Sequence, residues 1–201
     1  GWGAPNSNIT LLKAGVIANV VQPAGDGRFS YTFGGLERGT YTITAYGTDG
    51  ANRKSATFTS TISIIQGSTN LLSDVAIAPT LELADNSVPV GENARALGST
   101  IPNSRVELYV FAKTGGFTGT RLLTGTSTAS GAWEITVPSK DYPEGTYGLR
   151  ARVKTETASS ELSPSFYLGV GEEPPTASSE GADLNGDGKV NLIDFSIMLT
   201  N

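Results

Sequence analysis

The sequence predicts an all-β fold, two antiparallel β-sandwiches in tandem followed by a short loop and helix. Three observations predict it. Three sequence blocks recur in the same order about a hundred residues apart. Apolar residues within each block alternate with polar ones, the period of a half-buried strand and not of a helix. Turn signals such as "GDG", "GGLERG", "TDG", "TGG" and "PEG" separate the blocks at the spacing of an antiparallel sandwich.

The blocks set the elements in order. "APNSNITLL" (Ala4 to Leu12) answers "IPNSRVELY" (Ile101 to Tyr109), and "GDGRFSYTF" (Gly25 to Phe33) answers "ASGAWEITV" (Ala129 to Val137). "RGTYTITA" (Arg38 to Ala45) answers "EGTYGLRA" (Glu144 to Ala151). Phe29, Tyr31 and Phe33 share one face of an expected strand with Arg28, Ser30 and Thr32 opposite, and Tyr41, Ile43 and Ala45 oppose Thr42, Thr44 and Tyr46. In the second copy the inner positions fall to Trp133, Ile135 and Val137, then to Tyr147, Leu149, Ala151 and Val153. "TFTSTISII" and "SFYLGV" close the copies as last strands.

The chain has 201 residues, no histidine, no cysteine and a formal charge of −5. Without imidazole or thiolate there is no Ser-His-Asp or Cys-His system and no usual zinc ligand set. Paired carboxylates remain chemically open, but short threonine-rich strands rarely build the cleft they need, so a non-enzyme is expected. Acidity argues against nucleic acid and for hard cations. No apolar run approaches the ~18 residues that span a bilayer. The opening Gly1-Trp2-Gly3 carries no leader, which reads as a mature or partial chain.

The P-N-S entry into a strand, the "G-x-(F/W)" strand and the "G-T-Y" step together resemble bacterial immunoglobulin-like modules, found in tandem on secreted and surface proteins. The resemblance covers roughly residues 1–170 and implies an extracellular or cell-surface setting. Tyr41 and Tyr147 match the tyrosine-corner position, where the hydroxyl ties a loop to a neighbouring strand. The expected organisation is a sandwich over 1–67, a junction over 68–78, a second sandwich over 79–170, a proline- and acid-rich linker over 171–182, and a terminal unit over 183–201.

The two copies differ in one respect. "PTLELADNSVPVGENARALG" (Pro79 to Gly98) supplies the first two strands of the second sandwich, and only Gly1-Trp2-Gly3 precedes the corresponding block of the first. Losing about three inward side chains forfeits ~5–9 kcal/mol of burial, as much as a small domain's whole stability. Unpaired backbone would also be left for strand addition. Three sources could fill the gap: residues upstream of this fragment, a strand from a neighbouring copy, or Ser68 to Ile77 folding back.

"DLNGDGKVNLID" (Asp183 to Asp194) places oxygen donors at loop positions 1, 3, 5, 7, 9 and 12: Asp183, Asn185, Asp187, Lys189 through its carbonyl, Asn191 and Asp194. Gly188 at position 6 supplies the sharp turn. Six such ligands suit Ca2+, and three carboxylates repel one another without it. The loop is EF-hand-like except that Asp194 stands where a bidentate glutamate is usual. That variant and the "V-N-L-I-D-F" continuation resemble the calcium-binding repeat of dockerin modules, which dock enzymes and surface proteins onto cohesins. The resemblance makes a cohesin a possible partner, although a dockerin normally has two such repeats and this fragment shows one.

The residues after the loop read as one helix. Leu192, Phe195, Met198 and Leu199 form one stripe and Ile193 and Ile197 another. A helix apolar on more than one side needs cover, so a protein partner or neighbouring subunit is expected at this helix and at the incomplete first domain.

Weaker signals have blander readings. Asn8-Ile9-Thr10 is a glycosylation sequon inside a strand. Trp133 reads as core, Trp2 lies beside the incomplete domain, and Lys13 is a candidate for an internal isopeptide bond. Asp26 and Asp49 read as hairpin-turn residues. The function expected is a non-catalytic, extracellular, calcium-binding structural protein, a stalk or self-assembling surface unit that forms fibres if strands are exchanged. The alternative is an accessory region of a secreted polysaccharide-degrading enzyme. Adhesion to a host or mineral surface is a third reading.

Overall fold

The computed structural model describes residues 1–65, 67, 69–114 and 118–171. The fold is all-β. In the first half, β1 (Asn8–Lys13), β2 (Val16–Val21), β3 (Gly39–Thr48) and β4 (Phe58–Ile64) form one four-stranded sheet in the order β2-β1-β3-β4. Every pairing in it is antiparallel. Ala14 and Gly15 join β1 to β2 with φ of 49° and 81°, the positive values that a two-residue type I′ hairpin requires.

The second half holds β5 (Glu82–Leu83), β6 (Ser87–Val88), β7 (Asn93–Ser99), β8 (Arg105–Ala112), β9 (Thr120–Thr126), β10 (Ala132–Pro138), β11 (Gly145–Lys154) and β12 (Phe166–Val170). They make two sheets, β10-β7-β5 and β6-β12-β11-β8-β9, with β6 parallel to β12. Alternation sends Trp133, Ile135 and Val137 of β10 and Tyr147, Leu149 and Ala151 of β11 into a shared core with Ala94, Ala96, Leu108 and Leu168. This half is a complete sandwich.

The duplication is written into the hydrogen bonds. Gly47 N–H donates to Ser55 Oγ at 2.8 Å, and Val153 N–H donates to Ser160 Oγ at 3.1 Å. Each of those hydroxyls then donates to the carbonyl of the next residue at 2.8 Å. Tyr41 and Tyr147 donate their hydroxyls to the carbonyls of Glu37 and Pro143, each four residues earlier. The corner expected from the "G-T-Y" blocks is thus present in both halves.

One expected strand is not there. "GDGRFSYTF" forms no strand: Arg28 makes an isolated bridge to Trp2, and residues 29–38 join no ladder. The physical reason lies in its counterpart. β10 pairs only with β7, and in the first half residues 1–3 stand in the position of the end of β7. Gly3 N–H donates to the Gly27 carbonyl at 2.8 Å, Phe29 N–H donates to the Gly1 carbonyl at 3.0 Å, and Trp2 bridges both Arg28 and Ala76. Beyond Phe29 this segment has no ladder partner among the described residues. Phe29 and Phe33 still pack, half-buried, against Ile9, Leu11 and Ala45.

Chain beyond β4 takes part of that place. Val75 and Ile77 belong to the first core cluster. Trp2 N–H donates to the Val75 carbonyl at 2.7 Å, and Ile77 N–H donates to the Trp2 carbonyl at 2.9 Å. Residues 74–78, in the stretch expected as a junction, are therefore packed onto the first sheet.

Two further strands, β2 and β9, lie outside the blocks that the repeat marks. Both are outer strands of their sheets. Val16, Ile17 and Val20 of β2 and Leu122 of β9 are exposed, so no burial period marks them.

The halves meet at equivalent ends. Gly27 and Gly131 have φ of 86° and 84°. A Cβ on Gly27 would lie 2.7 Å from Pro102 of the other half, and one on Gly131 would lie 2.9 Å from Pro5. Each repeat's turn glycine thus abuts the other repeat's P-N-S proline, a reciprocal contact. Ala76, Ile101 and Val153 pack together there, with Trp2 and Ala158 against them.

A buried carboxylate secures this junction. Asp49 accepts from the N–H of Ala51 and Arg53, both at 3.0 Å, from Arg53 Nε at 2.8 Å and from Thr80 Oγ1 at 2.7 Å. Arg53 continues to Glu82 Oε2 at 3.1 Å and Ser99 Oγ at 3.4 Å. Burial alone would raise the Asp49 pKa, but the hydrogen bonds from Thr80 and Arg53 hold it below the ordinary value. Asp49→Ala strands Arg53 and Thr80 without their acceptor and is expected to cost about 2–4 kcal/mol. Urea denaturation of the variant against the parent checks this, with the loss in the transition that reports the first half.

Candidate functional site

The candidate site is the partly covered face of the first sheet, where Leu11, Ile43 and Ala45 are buried and Phe58, Ile62 and Ile64 of β4 are half-buried. Its floor is Leu11 of β1, Ile43 and Ala45 of β3, and Phe58, Ile62 and Ile64 of β4. One wall is the chain from Phe29 to Leu36 and the other the chain from Leu71 to Val75, with Trp2 at one end. The cleft between them has a volume of about 1150 Å³ and is open to solvent. Leu71 is 89% exposed and Leu72 38%, so apolar side chains line the rim as well as the floor.

Comparison between the halves shows what is unusual about this face. Tyr147 of β11 is 0% exposed and its counterpart Tyr41 is half-buried, whereas Ile43, the counterpart of Leu149, is buried as Leu149 is. Tyr31, in the position of the buried Ile135, is 40% exposed and stacks edge-on against Phe33 at 4.9 Å. β12 carries β6 on its outer edge, and β4, its counterpart, is an outer strand of its sheet. An apolar floor beside unpaired backbone is the chemistry of a docking groove, able to take an apolar segment of polypeptide. Its polar margin includes Gln22, Arg28, Asn70 and Asp74. Arg28 stacks over Trp2 at 4.6 Å and lies 3.7 Å from Asp26.

A second cluster lies on the outer face of the five-stranded sheet. Glu107 Oε2 accepts from Tyr109 Oη at 2.7 Å and Arg152 Nε at 2.8 Å, and its Oε1 lies 3.3 Å from Lys154 Nζ. Burial pushes this carboxyl up, but hydrogen bonds from Tyr109, Arg152 and Lys154 outweigh it and bring the pKa down to about 2. Burial and the Glu107 bond raise the Tyr109 pKa, and Arg152 is held charged by Glu107. A carboxylate this acidic is a poor general base; its role is to hold β8 to β11.

The sequence-predicted metal ligands Asp183, Asn185, Asp187, Lys189, Asn191 and Asp194 lie outside the described residues, as do Leu192, Ile193, Phe195, Ile197, Met198 and Leu199. The test of fit is the chemistry of the donor set: three carboxylates, two amides and one carbonyl are hard oxygen donors suited to Ca2+. Among the described residues no group of three or more histidine, cysteine, aspartate or glutamate side chains is placed to hold a metal. Asp26 is a turn residue whose Oδ1 accepts from Arg28 N–H at 3.0 Å.

The weaker candidates also have places. Trp133 is core, 3% exposed. Lys13 lies over the Tyr41 ring at 5.9 Å, and Asn8 hydrogen-bonds Gln22 at 3.2 Å. Sequence reasoning missed the Asp49 and Glu107 clusters. Their partners come from different strands and loops, and only the "TDG" turn marked one of them. Among the described residues no helix is long and apolar enough to cross a membrane.

No protein-family profile matches the chain, and no curated protein matches it. Among solved structures it is similar to one described as "Biofilm associated protein - BSP domain", at 18% identity and a TM-score of 0.29. That alignment covers 85% of this chain and 26% of the other, so this chain spans about a quarter of that protein's length. The described residues define an all-β protein of several sheets with a β-sandwich in its second half.

Glu107 gives a pH signature. Its folded pKa lies below the ordinary 4.5, so its stabilising contribution is full above about 4.5 and is lost as pH falls towards about 2. Acid titration of the second half followed by near-UV circular dichroism should show this loss, and Glu107→Gln should be less stable at neutral pH and flatter across that window.

Proposed function

We propose that the chain is a non-catalytic, extracellular, calcium-binding structural protein, a stalk and assembly unit of a surface or secreted protein. The observation that carries this reading is the folded apolar cleft of the first half, held rigidly to a complete sandwich by the Asp49 junction. A cleft of this kind is built to be covered by polypeptide. Its floor offers greasy side chains and its margin offers backbone, with no convergent set of polar groups of the sort that fixes a small substrate.

The resemblance to immunoglobulin-like and dockerin modules supports the same setting. Asp183, Asn185, Asp187, Asn191 and Asp194 would hold Ca2+ with the Lys189 carbonyl, and the ion would cancel the repulsion among the three carboxylates. Folding of the loop is then linked to metal, as in other sites whose ligands are not preformed. The apolar residues from Leu192 to Leu199 and the open first half are the two surfaces through which the protein meets its partners.

Trypsin offers a direct test, because Lys189 is the one basic residue between Lys154 and the carboxyl end. Cleavage after Lys189 should be slow with calcium and fast with chelator, and the two halves should stay intact in both. Equal cleavage rates would overturn the metal reading. Asp187→Ala is expected to weaken calcium binding by about a hundredfold or more, measured by titration calorimetry.

A further inference from the structure

The two surfaces named above have complementary chemistry and charge, and on that reading we infer that they fit each other: the segment Leu192 to Leu199 of one copy docks in the open cleft of a second copy. The cleft is the acceptor and the carboxyl-terminal segment the donor, so copies add head to tail.

Chemistry makes the first part of the case. The donor places six apolar side chains in eight positions, too many for a helix to expose in water. As a helix it is about 12 Å long and about 10 Å across, and about 10 Å is also the spacing at which a second sheet stacks on a first. The acceptor is a sheet face whose covering layer is incomplete over β4, where Phe58, Ile62 and Ile64 are half-buried, and it is rimmed by Leu72. A helix satisfies its own backbone hydrogen bonds, so it covers such a floor without needing a ladder partner.

Charge makes the second part. Residues 1–78 carry five basic and four acidic side chains, and residues 171–201 carry one basic and six acidic. The acceptor half is slightly positive, with Arg28 at the margin of the cleft, and the donor segment carries a net charge equal to that of the whole chain. Calcium in the loop would reduce but not reverse that asymmetry.

Geometry assigns donor and acceptor to different copies. β12 ends at Val170, paired with Gly145, and the junction with the first half lies at the other end of β11, beside Val153. A tail leaving at Gly171 would have to run back along the ten residues of β11, about 33 Å, before reaching the first half. From Gly171 to Asp183 the linker spans about 40 Å when fully extended, and only an unfolded loop from Asp183 to Leu192 would add much to that, so with calcium bound docking on its own cleft would use nearly all of its reach. A second copy meets no such limit, and a contact between unlike surfaces that does not close builds open chains.

The test is sedimentation velocity of the 201-residue chain over a range of concentrations, with calcium and with chelator. Assembly that grows with concentration in calcium is expected. Leu72→Glu, at an exposed position that a folded monomer tolerates, and Phe195→Asp should each weaken self-association by about tenfold or more. Mixing the two variants should restore one-to-one pairs, because one keeps the donor and the other keeps the acceptor. Terbium luminescence, read in parallel on the same samples, separates the two readings. Metal binding with a monomer at every concentration would overturn the docking and leave the calcium reading standing. Assembly and variant complementation without metal binding would uphold the docking and remove the calcium reading. Assembly unaffected by both variants would overturn the docking.

Discussion

A β-sheet with one apolar face must have that face covered, and in this protein the two halves meet the requirement differently. The second half covers β11 and β8 with a three-stranded sheet, and side chains from both layers close a core of sixteen buried residues. The first half has a single sheet and a core of five. Residues 22–38 and 69–78 lie over that sheet as irregular chain, and between them a cleft stays open. The exposure of Tyr41, the exposed apolar rim and the loss of the expected strand at 25–33 all follow from which layer is present.

The junction shows how duplication can be turned to use. Because the repeats meet at equivalent ends, each turn glycine faces the other repeat's proline, and neither position could carry a side chain without displacing it. Positive φ and close approach coincide there, so glycine is required twice over. The Asp49 carboxylate adds a polar tie whose acceptor capacity is filled by four donors. Such a tie is costly to break from one side, because the remaining partners stay buried without water.

On the proposed reading, the open cleft and the carboxyl-terminal segment are two halves of one interface, and calcium decides when the donor half is ordered. Entropy gives the arrangement its sense. A short helix is marginal alone in water, and fixing its first residues to a folded loop removes part of the ordering cost before any contact forms. The cleft meanwhile is held by strands whose register does not depend on the occupant.

How much could be read from the chain depended on the range of the interaction involved. Alternation along β3, β10 and β11, the repeat of the P-N-S, G-x-(F/W) and G-T-Y blocks, and the tyrosine corners are local patterns, and the sequence by itself determined them. It also determined the spacing of the oxygen donors from Asp183 to Asp194, on which the calcium proposal rests. Strand formation at 25–33 was decided by tertiary structure, since a strand exists only where a neighbour supplies the other half of its hydrogen bonds. Burial of Asp49 among Arg53, Thr80 and Ser99, and of Glu107 among Tyr109, Arg152 and Lys154, was decided there too. Those partners lie up to 47 residues apart, as Glu107 and Lys154 do, and a charge has no periodic signature that tells a buried position from a solvated one.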